Sequence, residues 1–284
     1  MATATKLLQN RIVLIFDFDE TLGPSTTRAY FDHLGISYED FNARIKERVK
    51  ELWHKPLAEA DLLREYSHRE DSPIRRDSMA AYGKEFPLFP GADKMVDCLK
   101  EYVAEQDGEI ELEFVLLTAG YKTIPEHSVI GDQFDRVYGG ELHFDDAGRV
   151  LSARRVISHV DKVHYIRQLV EGLDLDSPSE LENTYIDHDP QDNYVPMAQV
   201  IYVGDGHSDM SAFQAVEGGG GVSIAIDPDK DGSWDGYQKM SPGRRVHNVA
   251  PADYREDSEL MQSLQLALRM MVSRIQLLRR GVGE

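Results

Sequence analysis

The chain is expected to fold as an α/β protein, a doubly wound parallel sheet carrying a smaller helical domain inserted near its start. Three observations lead there. Short, continuous apolar runs recur along the 284 residues, in "IVLIF", "ELEFVLLTAG", "AQVIYVGDG" and "GGGGVSIAI", as fully buried parallel strands do. Segments of helical periodicity separate them, and strands alternating with helices are the pattern of doubly wound sheets. Polar clusters follow three of the runs directly, and in open α/β sheets ligands bind beyond the carboxyl ends of the strands.

Residues 12 to 16 (IVLIF) are the first strand, too short for a helix and rich in β-branched side chains. From Gly23 to Glu85 the texture changes to charge-dense helical periodicity, as in "YEDFNARIKERVKELW" and "ADLLREYSHRE", with no convincing strand. That stretch holds eleven Lys and Arg against twelve Asp and Glu, so the rest of the chain carries nearly all of the excess negative charge. "FPLFPG" then punctuates a return to the core, and an amphipathic helix starts at Ala92. "ELEFVLLTAG" is a buried strand expected to end at its Thr and Gly. "VYGGELHFDDAGRVLSARRV" follows as a hairpin, with Asp-Asp-Ala-Gly as its turn. Asp161 is expected to cap the helix "DKVHYIRQLVEGL", and the polar stretch from Asp174 to Pro196 to form an insertion loop. After the last two strands the chain closes with an amphipathic helix whose apolar positions are 260, 264, 267, 268, 271, 275 and 278, packing on the sheet. The division expected is a core of residues 1–22 and 86–284 and a helical domain of 23–85.

Composition narrows the function. A formal charge of -19 disfavours a nucleic-acid partner, because nonspecific binding draws on clustered Lys and Arg. A small phosphate remains compatible, since a metal ion and one or two basic groups reverse the field locally. Cys98 is the only cysteine, which rules out an intrachain disulfide and a Cys-rich metal site; its apolar neighbours at helical spacing make it core filler. The N-terminal residues lack the pattern of a secretory signal, and no apolar run approaches the roughly 20 residues that span a bilayer. A cytoplasmic location and no membrane partner are the expectations, with a monomer or homodimer both open.

The strand ends carry the chemistry. Asp17, Asp19 and Glu20 follow the first strand, and like charges crowded there are costly without a cation. Alternate residues of an extended chain face one way, so Asp17 and Asp19 start on one side with Phe18 toward the core. Mg²⁺, bound by one or two carboxylates, leaves positions for water and a substrate phosphate, and Asp205 at another strand end offers the second carboxylate. One aspartate can then attack phosphorus while the other exchanges protons with the leaving group and with water. Thr118, with the backbone of Ala119 and Gly120 beside it, offers donors to phosphoryl oxygens, and a lysine would neutralise the remaining charge.

Together "DFDETL", "LLTAG", Lys162 and "GDGHSD" resemble, in order and spacing, the four motifs of the haloacid dehalogenase (HAD) superfamily of phosphotransferases. The resemblance implies a Rossmann-like core, with Asp17 as the nucleophile that becomes an aspartyl-phosphate. Asp19 would be the general acid/base, its main-chain carbonyl also on Mg²⁺. Thr118 and Lys162 would bind the phosphoryl group, Asp205 would complete the metal site, and Asp209 would assist the metal or orient the lysine. An acid two residues after the nucleophile implies a phosphatase or phosphomutase rather than a dehalogenase. The helical insertion looks like a C1-type cap, which implies a small phosphorylated metabolite enclosed during turnover. "FDRVYGGELHFDDAGRV" and "GDGHSD" look most like the phosphoserine-phosphatase-like branch, and "VIYVGDGHSDMSAF" with "VAPADYREDSEL" is similar to uncharacterised bacterial HAD hydrolases of that branch. Phosphoserine phosphatases carry a glutamate soon after the first motif to meet the substrate amine, whereas this chain reads "GPSTTRAYF".

The function expected is therefore a Mg²⁺-dependent phosphatase acting on a small phosphomonoester through an aspartyl-phosphate. The alternatives are a sugar phosphomutase and a catalytically idle HAD-like binding protein; a proton donor at Asp19 has no use in the latter. Other features read as structure. "DHDPQD" at 187 to 192 is a solvated loop, "GGGG" at 218 to 221 a tight turn, and Phe41 and Trp53 core aromatics, while His207 either lines the pocket or lies on a surface loop.

Overall fold

The computed structural model describes residues 10–177, 193–206, 208–227 and 246–281. Strand β1 (Arg11–Phe16) lies inside a seven-stranded sheet with β2 (Glu111–Tyr121), β3 (Arg136–Phe144), β4 (Val150–Arg155), β5 (Val200–Gly204), β6 (Val222–Asp227) and β7 (Asn248–Pro251). The order is β4-β3-β2-β1-β5-β6-β7, parallel throughout except for the antiparallel β3–β4 pair. From β1 the chain builds outward to β4 on one side, then returns to β1 and builds outward from β5 on the other. The switch point therefore lies between β1 and β5, and a crevice opens there at the strands' carboxyl ends.

Alternation along β1 explains its continuous hydrophobicity. Ile12, Leu14 and Phe16 face a core shared with Met95, Leu99, Leu264 and Leu268, while Val13 and Ile15 face a second core with Ile166, Leu169, Phe213 and Val216. The first core is covered by α5 (Ala92–Gln106) and α8 (Glu259–Gly281), the second by α6 (Asp161–Glu171) and α7 (Met210–Gly218). Every residue from Ile12 to Phe16 is fully buried, each contributing about 1.5–3 kcal/mol for its side chain.

Between β1 and α5 lie four helices, α1 (Thr26–His33), α2 (Tyr38–Lys50), α3 (Lys55–Ser67) and α4 (Arg76–Gly83). Ser37 caps α2 by accepting from Asp40 N–H, with Glu39 and Asp40 in the first turn and Arg48 and Lys50 in the last, as the helix dipole favours. Pro56 sits in the first turn of α3, where its missing N–H costs nothing. Phe31, Phe41 and Tyr66 knit the helices together, with Phe31 and Phe41 ring centroids 4.5 Å apart. The cluster continues into the sheet's first core through Phe18 and Phe86 at 5.1 Å. The far side of α3 is tied to β4: Ser67 accepts from Val150 N–H at 3.0 Å, and His68 Nε2 lies 3.0 Å from the Val150 carbonyl oxygen.

Several expectations need correction. The second strand runs to Tyr121, one residue past the expected Gly120, with an irregular register against β3 between Leu117 and Tyr121. Asp161 is the first residue of α6 and Val160 holds the cap position; the Asp161 carboxylate accepts from Ser158 N–H and hydroxyl at 2.8 and 2.6 Å. Phe41 is buried, but Trp53 is exposed at the end of α2 because its ring lies outside the aromatic cluster. Leu278 is half exposed, since α8 extends past the core at its last turn. Strand β7 was not foreseen: four residues are too few to show a period. The β3–β4 hairpin turns at Asp145–Gly148 and "GGGG" forms the turn before β6, as expected. Cys98 packs partly buried against the first core. Of the 174–196 stretch, 178–192 lie outside the described residues, "DHDPQD" among them; Asp176 pairs with Lys122 and Arg155. Among the described residues no helix is long and apolar enough to cross a membrane.

Candidate active site

Asp17 comes directly after β1, and its N–H still pairs with the Val203 carbonyl of β5 at 2.9 Å, so strand geometry holds it in the crevice between the two strands. The chain then turns tightly: Phe18 C=O accepts from Thr21 and Leu22 N–H, and Tyr254 donates to Thr21 C=O at 2.8 Å. Glu20 adopts a left-handed conformation, φ 56°, with its carboxylate accepting from Ser25 N–H. Holding a non-glycine residue there costs of order 1 kcal/mol, a strain tolerated where surrounding bonds over-determine the loop.

Lys162, in the first turn of α6, is completely buried and reaches across to this loop. Its Nζ lies 3.1 Å from Asp17 Oδ1 and 2.6 Å from Asp209 Oδ1. Tyr202, from the middle of β5, donates to the same Asp209 oxygen at 2.6 Å. Asp209 occupies the cap position of α7, yet its side chain makes no capping bond and turns to Lys162 and Tyr202 instead. A Cβ on Gly204 would fall inside the Asp209 carboxylate, so the strand must end in glycine for Asp209 to lie against it. Oxygen atoms of Asp17, Asp205 and Asp209 lie within 4.8 Å of one another.

This crowding sets the electrostatics. Burial raises the Asp17 carboxyl well above the usual carboxylate range; Lys162 opposes that, and Asp209, Asp205 and Asp19 add to it. Burial also opposes the Lys162 charge, but Asp17 and Asp209 outweigh it and hold the ammonium above the ordinary lysine value. Asp209 meets the same burial, overridden by Lys162 and the Tyr202 hydrogen bond, and stays below the usual range. One cation thus stands among three carboxylates. A buried set of hard oxygen donors with charge left over fits a divalent metal such as Mg²⁺.

Asp19 stands apart from that set: its carboxylate turns away to α1, where Thr26 donates to it from both N–H (2.7 Å) and hydroxyl. Burial raises the Asp19 carboxyl and the Thr26 bonds restrain it. Thr118 is buried at the carboxyl half of β2. A Cβ on Gly120 would lie 2.8 Å from Asp19 Oδ2 and 3.4 Å from Thr118 Oγ1, so the absent side chain lets the acid and the hydroxyl share one space. The Gly120 N–H donates to Thr118 Oγ1 at 3.0 Å, which occupies a donor that the sequence left for substrate. Ala119 lies between them on β2. His207 lies outside the described residues, whereas Ser208 donates to Asp17 Oδ2 at 3.4 Å.

Sequence reasoning missed Thr26, Tyr202 and Glu59. Tyr202 had a signal, because a tyrosine inside a buried aliphatic strand must find a partner for its hydroxyl. Thr26 and Glu59 had none, since both act through long-range pairing. Glu59 of α3 accepts from Thr27 of α1 at 2.7 Å, and Tyr121 donates to the Pro56 carbonyl at 2.6 Å, so the start of α3 is tied to α1 and to the carboxyl end of β2.

No protein-family model matches the chain, and no curated protein matches it. Solved structures do. A HAD family hydrolase from Salmonella enterica superposes with a TM-score of 0.57 at 14% identity, covering 91% of this chain and 71% of the other. Phosphoserine phosphatase from T. onnurineus gives 0.53 at 14% identity, covering 91% and 96%. A phosphoserine phosphatase solved as a phospho-aspartyl intermediate analogue gives 0.52 at 15% identity, covering 90% and 98%. The fold is that of HAD hydrolases of the phosphoserine-phosphatase-like type.

Proposed function

We propose that the protein is a Mg²⁺-dependent phosphatase that hydrolyses a small phosphomonoester through an aspartyl-phosphate on Asp17, beneath a cap formed by residues 23–85. The observation that carries this is the buried Lys162 bridging Asp17 and Asp209 at the β1–β5 switch point, with Asp205 alongside. Asp17, Asp205 and the Asp19 carbonyl would hold Mg²⁺, which supplies charge neutralisation at the transferring phosphoryl group. Asp17 Oδ1 carries Lys162 and the Phe18 N–H at 2.8 Å, whereas Oδ2 accepts a long bond of 3.4 Å from Ser208, so Oδ2 is the less engaged oxygen and the one suited to attack.

As the Asp17–phosphorus bond forms, the bond from phosphorus to the leaving oxygen breaks, and Asp19 gives that oxygen its proton. The raised Asp19 carboxyl, buried and restrained by Thr26, suits this duty. Asp19 then takes a proton from water as the water oxygen attacks phosphorus and releases phosphate, which regenerates Asp17. Lys162 steadies the charge on the phosphoryl oxygens, and Asp209 with Tyr202 fixes its position; Thr118 adds its hydroxyl. The phospho-aspartyl analogue described for a protein of this fold supports the covalent route.

The test is phosphate release from a panel of small phosphomonoesters with and without Mg²⁺, with Asp19→Ala as control. Release that needs Mg²⁺ and disappears in the variant is expected. Absence of release from every ester while Mg²⁺ still binds would refute the proposal and favour a mutase or a binding protein.

A further inference from the structure

We infer that Tyr254 is a positioning residue of the reaction, which fastens the turn carrying Asp19 and both linkers to the helical domain at one point; this rests on the phosphatase function proposed for the Asp17 site. The chain leaves the core after Leu22 and comes back through residues 86–91, and the two crossings touch. Phe89 N–H donates to the Leu22 carbonyl at 2.8 Å, and the Phe18 and Phe86 rings pack beside that bond with centroids 5.1 Å apart. Tyr254, in the loop between β7 and α8, bonds to both crossings. Its hydroxyl donates to the Thr21 carbonyl at 2.8 Å on the outgoing one, and its N–H donates to the Pro90 carbonyl at 2.7 Å on the returning one. The fit is close on the returning side. Gly91 has φ 80°, and a Cβ there would lie 2.6 Å from the Tyr254 carbonyl carbon, so only glycine leaves room for the loop.

What this clasp holds is a strained turn. Glu20 is left-handed within it, and the Phe18 carbonyl gathers the N–H groups of Thr21 at 3.2 Å, Leu22 at 2.8 Å and Gly23 at 3.4 Å. Those bonds are internal to the turn, whereas the Tyr254 hydroxyl ties it to the core. Tyr254 is itself fixed: it is buried, and its ring lies against Phe16 of β1 with centroids 6.4 Å apart. Burial, with the Asp17 charge adding to it, raises the hydroxyl above the ordinary tyrosine value, so it stays a donor. One rigid side chain thus links the strand that leads into Asp17 to the turn that carries Asp19. Releasing the turn lets Glu20 relax and Asp19 drift, and a misplacement of about 1 Å costs on the order of 100-fold in rate. The Asp17, Asp205 and Lys162 side chains follow β1, follow β5 and stand on α6, so substrate binding does not depend on the turn in the same way.

Tyr254→Phe removes the hydroxyl and keeps the ring. Rapid-mixing kinetics in Mg²⁺ on p-nitrophenyl phosphate and on an alkyl phosphate compare the wild type, Tyr254→Phe, Gly91→Ala and Tyr194→Phe. The last is a control that removes a hydroxyl bonded to Glu113, near the opposite end of β2. Amide hydrogen exchange is read on the same proteins. In Tyr254→Phe, kcat should fall on the order of 100-fold with KM little changed. A burst of nitrophenol should remain, because that leaving group needs no proton, while the alkyl ester should be slow from the first turnover. Residues 18–23 and 86–91 should exchange roughly tenfold faster, with β1 and β5 unaltered. Gly91→Ala should show the same pattern and Tyr194→Phe none of it. A raised KM with kcat unchanged, equal losses on both esters without a burst, or a loss that Tyr194→Phe reproduces overturns the inference. Faster exchange confined to the two crossings, in a protein whose wild type hydrolyses no ester, leaves Tyr254 as the clasp of the turn and defeats the phosphatase. Wild-type hydrolysis with rates and exchange unaltered in Tyr254→Phe does the reverse.

Discussion

Replacing Lys162 by Met isolates the electrostatics of the site from its chemistry. The side chain is fully buried and bonds two carboxylates, so its removal leaves Asp17 and Asp209 in the crevice without their cation. Removing one partner of a buried pair costs about 3–5 kcal/mol, and roughly 2–4 °C is lost per kcal/mol in a chain of this size class, so the melting temperature should fall by roughly 6–20 °C in chelator. The pH dependence has a definite sign. Lys162 is held above its ordinary value, so its stabilisation is complete below the unfolded lysine value of about 10.4 and fades as pH rises through the folded one. Asp209 is held below its ordinary value, so its stabilisation is present above about pH 3.9 and fades as pH falls through the folded one. Both vanish in the variant, so its deficit should be greatest near neutrality and shrink only as pH falls below about 3.9 toward about 2. Denaturant melts at the two pH values measure this, and adding Asp209→Asn should recover part of the loss. A neutral deficit under about 1 kcal/mol, or one that grows in acid, would refute the reasoning.

Three further outcomes are expected. Tyr202→Phe removes one hydrogen bond to an ionised carboxylate and should cost about 2 kcal/mol in denaturant melts; an unchanged midpoint would mean that Lys162 alone fixes Asp209. Gly120→Ala places a methyl 2.8 Å from Asp19 Oδ2, so phosphate release should fall on the order of 100-fold while circular dichroism is unaltered. Asp107, at the end of α5, is kept below the usual carboxylate range despite desolvation by the Glu109 N–H, Gln276 and Arg279. Its contribution of about 1 kcal/mol should be present above pH 3.9 and lost as pH falls through the folded value, so Asp107→Asn should matter at neutral pH and not at pH 2.

The strand ends were legible because each joins an unambiguous apolar run to an abrupt polar one. Asp17 and Asp205 needed only that the two strands be neighbours, as parallel strands flanking a switch point are. Lys162 and Asp209 were placed by motif order, and their meeting at 2.6 Å depends on how α6 packs on the sheet, which no local pattern encodes. Thr26 was illegible for the same reason: it was one hydroxyl among several in "GPSTT". Strand β2 ends one residue past the expected Gly120, because Tyr121 suits a strand as well as a turn and pairing with β3 decides between them.

The most direct test of the central claim is to trap the phosphoryl group on the protein. Asp19→Ala incubated with Mg²⁺ and p-nitrophenyl phosphate, whose leaving group needs no proton, should form the covalent intermediate and fail to hydrolyse it. Acid quenching, digestion and mass spectrometry should then find one phosphoryl group on the peptide that carries Asp17, and none after Asp17→Asn is added. Nitrophenol release with no phosphorylated Asp17 peptide, or label on another residue, would contradict a covalent mechanism at Asp17.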